Sequence, residues 1–114
     1  VFMIDWQQIE RIKYDKQRYC CEHFLIDIYR ELAGIDLSDK LLTRGFFNTH
    51  KLRNFKQVDT PKQLTIVLFR DANKAHVGLW YDNKVLHLCE QGVLLQPLDV
   101  AILGFRRVNF YETT

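Results

Sequence analysis

Residues 19–34 read YCCEHFLIDIYRELAG, and this stretch decides the fold of the chain. Its apolar residues recur at the spacing of a single helical stripe, which is typical of a helix packed on a core. The stripe consists of Cys21, Phe24, Leu25, Ile28, Tyr29, Leu32 and Ala33. Gly34 follows and suits the left-handed residue that ends many helices. We therefore predict one long helix, buried along its length and closed by Gly34.

Two cysteines, Cys20 and Cys21, stand in the first turn of this predicted helix. The unpaired N–H groups and the dipole of a helix N-terminus favour thiolate over thiol, so this position predicts a lowered thiol pKa. A free cysteine is more often a small core residue. Position alone therefore leaves a nucleophile and a packing residue both open.

Length and composition limit the class of protein. The 114 residues suit one domain spanning 1–114, with 47% hydrophobic residues and a formal net charge of +2. The basic patch over 51–56 is short and has no aromatic ladder, which argues against nucleic acid as a partner. No apolar run approaches the roughly 18–20 residues of a membrane span.

The ends and the cysteines carry a weaker signal about location. The stretch Val1–Ile4 is too short for a signal-peptide core, which favours synthesis in the cytoplasm, with delivery in a virion or a secretion assembly as one route. Three cysteines, two of them adjacent, cannot all pair. We expect reduced thiols rather than a disulfide framework.

The elements change character along the chain, from helices to strands. The predicted helices are one over 5–12 capped by Asp5, the main helix, and short ones from Ser38 through Leu42 and around Asn48–Phe55. The predicted strands lie over 64–69, 76–81, 85–89, 93–95 and 105–111, with a helical turn over 97–103 before the last one. Helices first and an antiparallel sheet after indicate an α+β fold, with N-terminal helices packed on a small sheet.

The hairpin over 76–89 predicts a cluster of reactive side chains. If Asp82-Asn83 is a two-residue turn, Tyr81 pairs with Lys84 and four side chains project from one face. These are His76, Gly78, His87 and Cys89. His76 and His87 become diagonal neighbours, and Gly78 leaves room opposite His87. A three-residue loop would turn His87 to the other face.

A helix-borne cysteine facing a histidine, with a second polar group holding that histidine, is what thiol nucleophiles require. His87 can be this second group because neutral imidazole has one acceptor nitrogen. Each histidine taken alone is more often a half-buried sheet residue bonded to backbone. A Cys-His-His site is therefore predicted only by the cysteine and the two histidines taken together.

Short motifs along most of the chain resemble the NlpC-type papain-like cysteine peptidases. The family has a cysteine opening a helix, which here is Cys21 followed by the run LIDIYRELAGIDL over 25–37. It then has a strand similar to LTIVLFR over 64–70 and a hairpin similar to HVGLW over 76–80, whose return strand ends in a histidine. The segment FRRV over 105–108 is similar to the closing strand of the family.

The resemblance implies a papain-like NlpC fold with an active cleft between the helix and the sheet. It assigns Cys21 as nucleophile, His76 as base and His87 as the orienting residue, with no cofactor and no metal. It implies cleavage of an amide bond in peptidoglycan stem peptides, and the compact form resembles the phage-tail relatives of the family. A peptidoglycan peptide is the expected substrate, and a phage tail or another larger assembly is a candidate partner.

The chain departs from the family pattern around the nucleophile. Cys20 replaces the family's Asp, Glu22 and His23 replace a Ser-Gly pair, and the Tyr-x-x-Gly-Gly loop is absent. Tyr14, or Tyr19, would then supply the hydroxyl that stabilises the oxyanion. We expect Tyr14, Glu22 and His23 to contact the substrate.

Three other functions stay open. A structural or binding module would keep the fold without activity, and an acyltransferase or deamidase would pass the acyl-thioester to another nucleophile. A metal site would draw on Cys20, Cys21, His23, His76, His87 and Cys89. Adjacent cysteines are poor zinc spacing, so we expect no metal.

Overall fold

The computed structural model describes residues 4–38, 55–72 and 74–113. Its helices are α1 (Trp6–Ile9), α2 (Cys21–Ala33) and α3 (Leu98–Ala101). Its strands are β1 (Phe55–Val58), β2 (Ile66–Arg70), β3 (Ala75–Tyr81), β4 (Lys84–Cys89), β5 (Gly92–Gln96) and β6 (Arg107–Thr113). The predicted α+β class is confirmed.

The strands form a single sheet in the order β1-β6-β2-β3-β4-β5, and every neighbouring pair is antiparallel. β2 lies between β6 and β3, and its residues 66–69 are buried. An apolar strand covered on both faces suits this central place.

Helix α2 follows the predicted stripe. Gly34 has φ of 72° and donates its backbone N–H to the Arg30 carbonyl, which closes the helix as expected. Cys20 is the N-cap, so the helix begins at Cys21. Tyr19 instead forms an isolated antiparallel bridge with Asp15.

Side chains on the two faces of the sheet belong to two separate apolar clusters. One face packs on α2, and the cluster joins Phe24, Leu25 and Ile28 of α2 to Leu68, Val77, Leu79, Leu86 and Leu88 of the sheet. The other face carries a smaller cluster around Val67, Phe69, Val85, Ala101 and Phe105. Successive strand residues alternate between the faces. The histidines next to Val77 and Leu86 therefore project away from α2.

Several predicted boundaries are corrected by the structure. Phe55, expected to end a helix, begins β1, a strand that the sequence did not predict. The rest of that predicted helix, and residues 39–42 of the one after Ser38, lie outside the described residues. The first helix ends at Ile9 rather than Ile12, and β2 begins at Ile66 because Leu64 has φ of 69°, which is not strand geometry.

The predicted hairpin turn is confirmed. Tyr81 pairs with Lys84, and Asp82 and Asn83 have φ of 54° and 60°. Two positive φ values identify a type I′ turn, whose twist matches that of the strands. The register that places His76 and His87 on one face is therefore correct. Among the described helices, none is long and apolar enough to cross a membrane.

Candidate active site

A pair of imidazoles is the centre of the candidate site. His76 of β3 and His87 of β4 project from the face of the sheet opposite α2, and His76 Nε2 lies 2.8 Å from His87 Nδ1. Gly78, opposite His87, leaves room for this approach, because a Cβ there would lie 3.1 Å from the Cβ of His87. The predicted contact between the two histidines is confirmed.

Gln96 of β5 extends the pair into a chain of three side chains. Its Oε1 lies 2.8 Å from His87 Nε2. With the Gln96 amide oxygen facing the ring, which only accepts, His87 Nε2 carries the hydrogen and His87 Nδ1 is the acceptor. His76 Nε2 then donates to His87 Nδ1, which leaves His76 Nδ1 as an unprotonated nitrogen. Gln96 thereby sets the tautomer of both rings.

The surroundings keep both histidines neutral. The His76 ring lies between Phe69 and Phe105, with ring centroids 5.8 Å and 6.0 Å away. Burial, and then the neighbouring His87, lower the pKa of His76 from 6.5 to about 4. Burial also lowers the pKa of His87, which is 3% exposed, against a smaller raising effect of the Gln96 bond. Near neutral pH, His76 is therefore a free base.

A groove of about 420 Å³ opens beside the imidazole pair. The residues that line it include Tyr14, His76, His87, Cys89, Gln96 and Phe105. Cys89, at the end of β4, places its sulfur 3.4 Å from His87 Nδ1. The three ligand atoms of His76, His87 and Cys89 all lie within 4.8 Å of one another. The groove thus has two imidazoles and one thiol in its lining.

Cys21 opens α2, as predicted, but the expected lowering of its pKa is wrong. Burial raises the pKa of the Cys21 thiol from 9.0 to about 11, and hydrogen bonds from the backbone at Val77 and Glu22 offset only part of this. Desolvation of a thiolate thus outweighs the helix N-terminus. In the resting protein Cys21 is a neutral thiol.

The position of Cys21 relative to His76 follows from the bond at Val77. Val77 directly follows His76, so a sulfur that accepts from the Val77 N–H lies against the β3 backbone beside His76. Within the described ranges, no hydrogen bond joins the Cys21 thiol to either imidazole. The Cys21 thiol therefore lies beside the β3 backbone next to His76, and no direct hydrogen bond joins it to the imidazole.

The imidazole pair does not lie between α2 and the sheet, where the resemblance implied the cleft. Val77 and Leu88 face α2, so the alternating positions His76 and His87 face the opposite side. The Cys21 thiol therefore lies on the α2 face of the sheet at β3, and the His76 imidazole projects from the opposite face.

The three residues expected to contact the substrate lie in different environments. Tyr14 lines the groove, and its pKa is raised by burial and then by the negative charges of Glu90, Cys20, Cys21 and Asp15. His23 accepts the Cys20 backbone N–H at Nδ1 (3.1 Å) and caps α2. Glu22 is half-buried, and burial raises its pKa. Of these three, only Tyr14 is among the residues described as lining the groove.

Gln96 was not predicted from the sequence, although a signal for it existed. A two-residue connection at Glu90-Gln91 pairs Cys89 with Gly92 and Val85 with Gln96. Side chains directly opposite share a face, so this register places Gln96 beside His87. A two-residue β4–β5 turn, like the β3–β4 turn, therefore predicts the contact between Gln96 and His87 from the sequence.

In comparisons with known proteins, no family model matches the chain, and no curated protein matches it.

Proposed function

We propose that the protein is a cysteine hydrolase that cleaves an amide bond, with Cys21 as nucleophile, His76 as base and His87 as the orienting residue. One observation carries the proposal. The chain from Gln96 through His87 leaves His76 Nδ1 as the unprotonated nitrogen. His76 is also adjacent in sequence to Val77, whose backbone bonds the Cys21 sulfur.

The protonation states favour a neutral resting pair over a thiolate–imidazolium pair. With the Cys21 pKa near 11 and the His76 pKa near 4, the proton stays on sulfur until substrate binds. His76 Nδ1 takes the proton as the sulfur attacks the carbonyl carbon, then donates it to the leaving amine. Water releases the acyl group and restores the thiol.

Two donors are available for the oxyanion in this mechanism. The Cys21 backbone N–H lies at the start of α2, and the Tyr14 hydroxyl lines the groove. Removal of one such donor typically costs about 10²-fold or more in rate. Tyr14→Phe is therefore expected to lower kcat by that order while leaving the fold intact.

Peptidoglycan stem peptides are the substrate class that the motif resemblance favours. Exposed Val100 and Leu103 give the groove an apolar wall, while Tyr14 and Gln96 supply polar contacts. A groove with this mixture suits a short peptide with small apolar side chains. A phage tail or a similar delivery assembly is the corresponding candidate partner.

The test is digestion of purified peptidoglycan, followed by mass identification of the fragments. Wild-type protein should release peptide fragments with new amine and carboxyl ends, and Cys21→Ala should release none. Cys20→Ser is the matched control, because serine keeps an N-cap and the neighbouring thiol is removed. Digestion that survives Cys21→Ala would refute the mechanism.

A binding module without activity is the second candidate, and the burial of Cys21 favours it. It predicts that Cys21→Ala changes neither peptidoglycan binding nor any fragment pattern. Retained binding of peptidoglycan by an inert wild-type protein in a sedimentation assay would select this function over hydrolysis.

A further inference from the structure

We propose that His76 Nε2, His87 Nδ1 and the Cys89 sulfur form a binding site for Zn²⁺ or a similar soft divalent transition-metal ion, and that an ion bound there blocks the hydrolase. The binding part stands on the geometry alone. The blocking part rests on the proposed function, because it removes the base that His76 provides.

Two of the three distances among the ligand atoms are close to those of tetrahedral zinc, and all three lie within 4.8 Å. Ligands at the usual Zn–N and Zn–S lengths lie about 3.3 Å apart for two nitrogens and about 3.5 Å apart for nitrogen and sulfur. In the structure the two imidazole nitrogens are 2.8 Å apart, and Cys89 Sγ is 3.4 Å from His87 Nδ1. To admit the ion, the two imidazole nitrogens separate by about half an ångström and the rings turn until their lone pairs converge on it.

The donor set and its supports also fit zinc. Imidazole and thiolate are the ligands that zinc prefers. His87 keeps its bond from Nε2 to Gln96, which is the outer bond that orients most metal-binding histidines. The site opens onto the groove, which leaves a fourth position for water or for an oxygen of Tyr14 or Glu90.

Binding has a defined proton balance. The Cys89 thiol releases one proton to solvent as its sulfur binds the ion. His76 moves its hydrogen from Nε2 to Nδ1, which frees Nε2 for the metal and releases no further proton. The hydrogen then occupies the nitrogen that the hydrolase needs unprotonated. Metal and thiol proton transfer are therefore mutually exclusive at His76.

The binding test uses Co²⁺ and Zn²⁺ on the full chain. Co²⁺ should produce a thiolate-to-metal charge-transfer band in the near ultraviolet, and one equivalent of Zn²⁺ should remove it. Zn²⁺ affinity, measured by competition with a chromophoric chelator, should fall at least about tenfold in Cys89→Ser. Cys20→Ser, a thiol outside the cluster, should bind as the wild type does.

Two results would overturn the site: Co²⁺ binding without a thiolate band, or equal Zn²⁺ affinity in wild type and Cys89→Ser. The cobalt band needs no variant, so a poorly folded mutant does not obscure it. Unchanged near-ultraviolet circular dichroism of Cys89→Ser verifies its fold.

The inhibition test separates this inference from the proposed function. Zn²⁺ should stop peptidoglycan digestion by wild type, and Cys89→Ser should need at least about tenfold more Zn²⁺ for the same fractional loss, measured against its own rate in the presence of chelator. Equal Zn²⁺ sensitivity of the two proteins would refute the blocking step. A cobalt band in Cys21→Ala shows the metal site independently of any hydrolase activity.

Discussion

His76 Nε2 and His87 Nδ1 lie 2.8 Å apart on neighbouring strands, with Gln96 Oε1 a further 2.8 Å beyond His87 Nε2. Each bond has one possible direction once the amide oxygen is placed, so the free nitrogen of His76 is Nδ1. This arrangement of hydrogens leaves His76 Nδ1 unprotonated, which a base at His76 requires.

Gln96→Leu removes the acceptor that sets both tautomers. We expect His87 to lose its preference for hydrogen at Nε2 and kcat to fall at least about tenfold, because a wrong tautomer disables a catalytic imidazole. Nitrogen-15 NMR of the imidazole rings reads the tautomer directly. Gln96→Glu keeps an acceptor and should restore the wild-type tautomer. Wild-type tautomers in Gln96→Leu would contradict this role.

Gly78→Ala should disturb the imidazole pair through packing. The added Cβ would lie 2.8 Å from Val85 Cγ1 and 3.1 Å from both His87 Cβ and the Leu86 carbonyl oxygen. Such overpacking typically costs about 1–3 kcal/mol of unfolding free energy, which denaturant titration measures. Gly34→Ala is the control, since open space surrounds its Cβ and only its φ of 72° is strained. We expect cobalt binding to weaken in Gly78→Ala and to persist in Gly34→Ala.

The buried His76 predicts a loss of stability at acid pH. Its folded pKa of about 4 lies below the ordinary 6.5, so the unfolded chain binds the proton first. The contribution of neutral His76 to the free energy of unfolding is complete above pH 6.5. It declines as the pH falls from 6.5 toward 4, by at most about 3 kcal/mol. Denaturant titrations at several pH values should give a shallower slope over this window in His76→Gln. Equal slopes in the two proteins would show that His76 titrates normally.

The raised pKa of Cys21 predicts a slow reaction with iodoacetamide. A thiol with a pKa near 11 is about one part in 10⁴ thiolate at pH 7, and the thiolate is the reactive form. Alkylation of Cys21, followed by peptide mass spectrometry, should accelerate about tenfold per pH unit up to that pKa. Cys20→Ser simplifies the assignment of the adjacent thiol. A rate that is already maximal at pH 7 would indicate a thiolate–imidazolium pair instead.

Local patterns were enough to predict the elements that carry the site. The apolar stripe and Gly34 predicted α2, and the Asp82-Asn83 turn predicted the register that joins His76 to His87. Both signals arise from neighbouring residues, because helix periodicity and turn conformation depend on short stretches of chain.

What only the tertiary structure decided depends on distant residues. β1 forms because Phe55–Val58 finds β6 more than fifty residues later in the sequence, and its four residues carry little pattern of their own. The pKa of Cys21 rises because packing of α2 on the sheet removes water from the sulfur, an effect that outweighs the local helix N-terminus. The sequence by itself determined which reactive side chains share a strand face. Burial and long-range packing decided their protonation and the side of the sheet on which they lie.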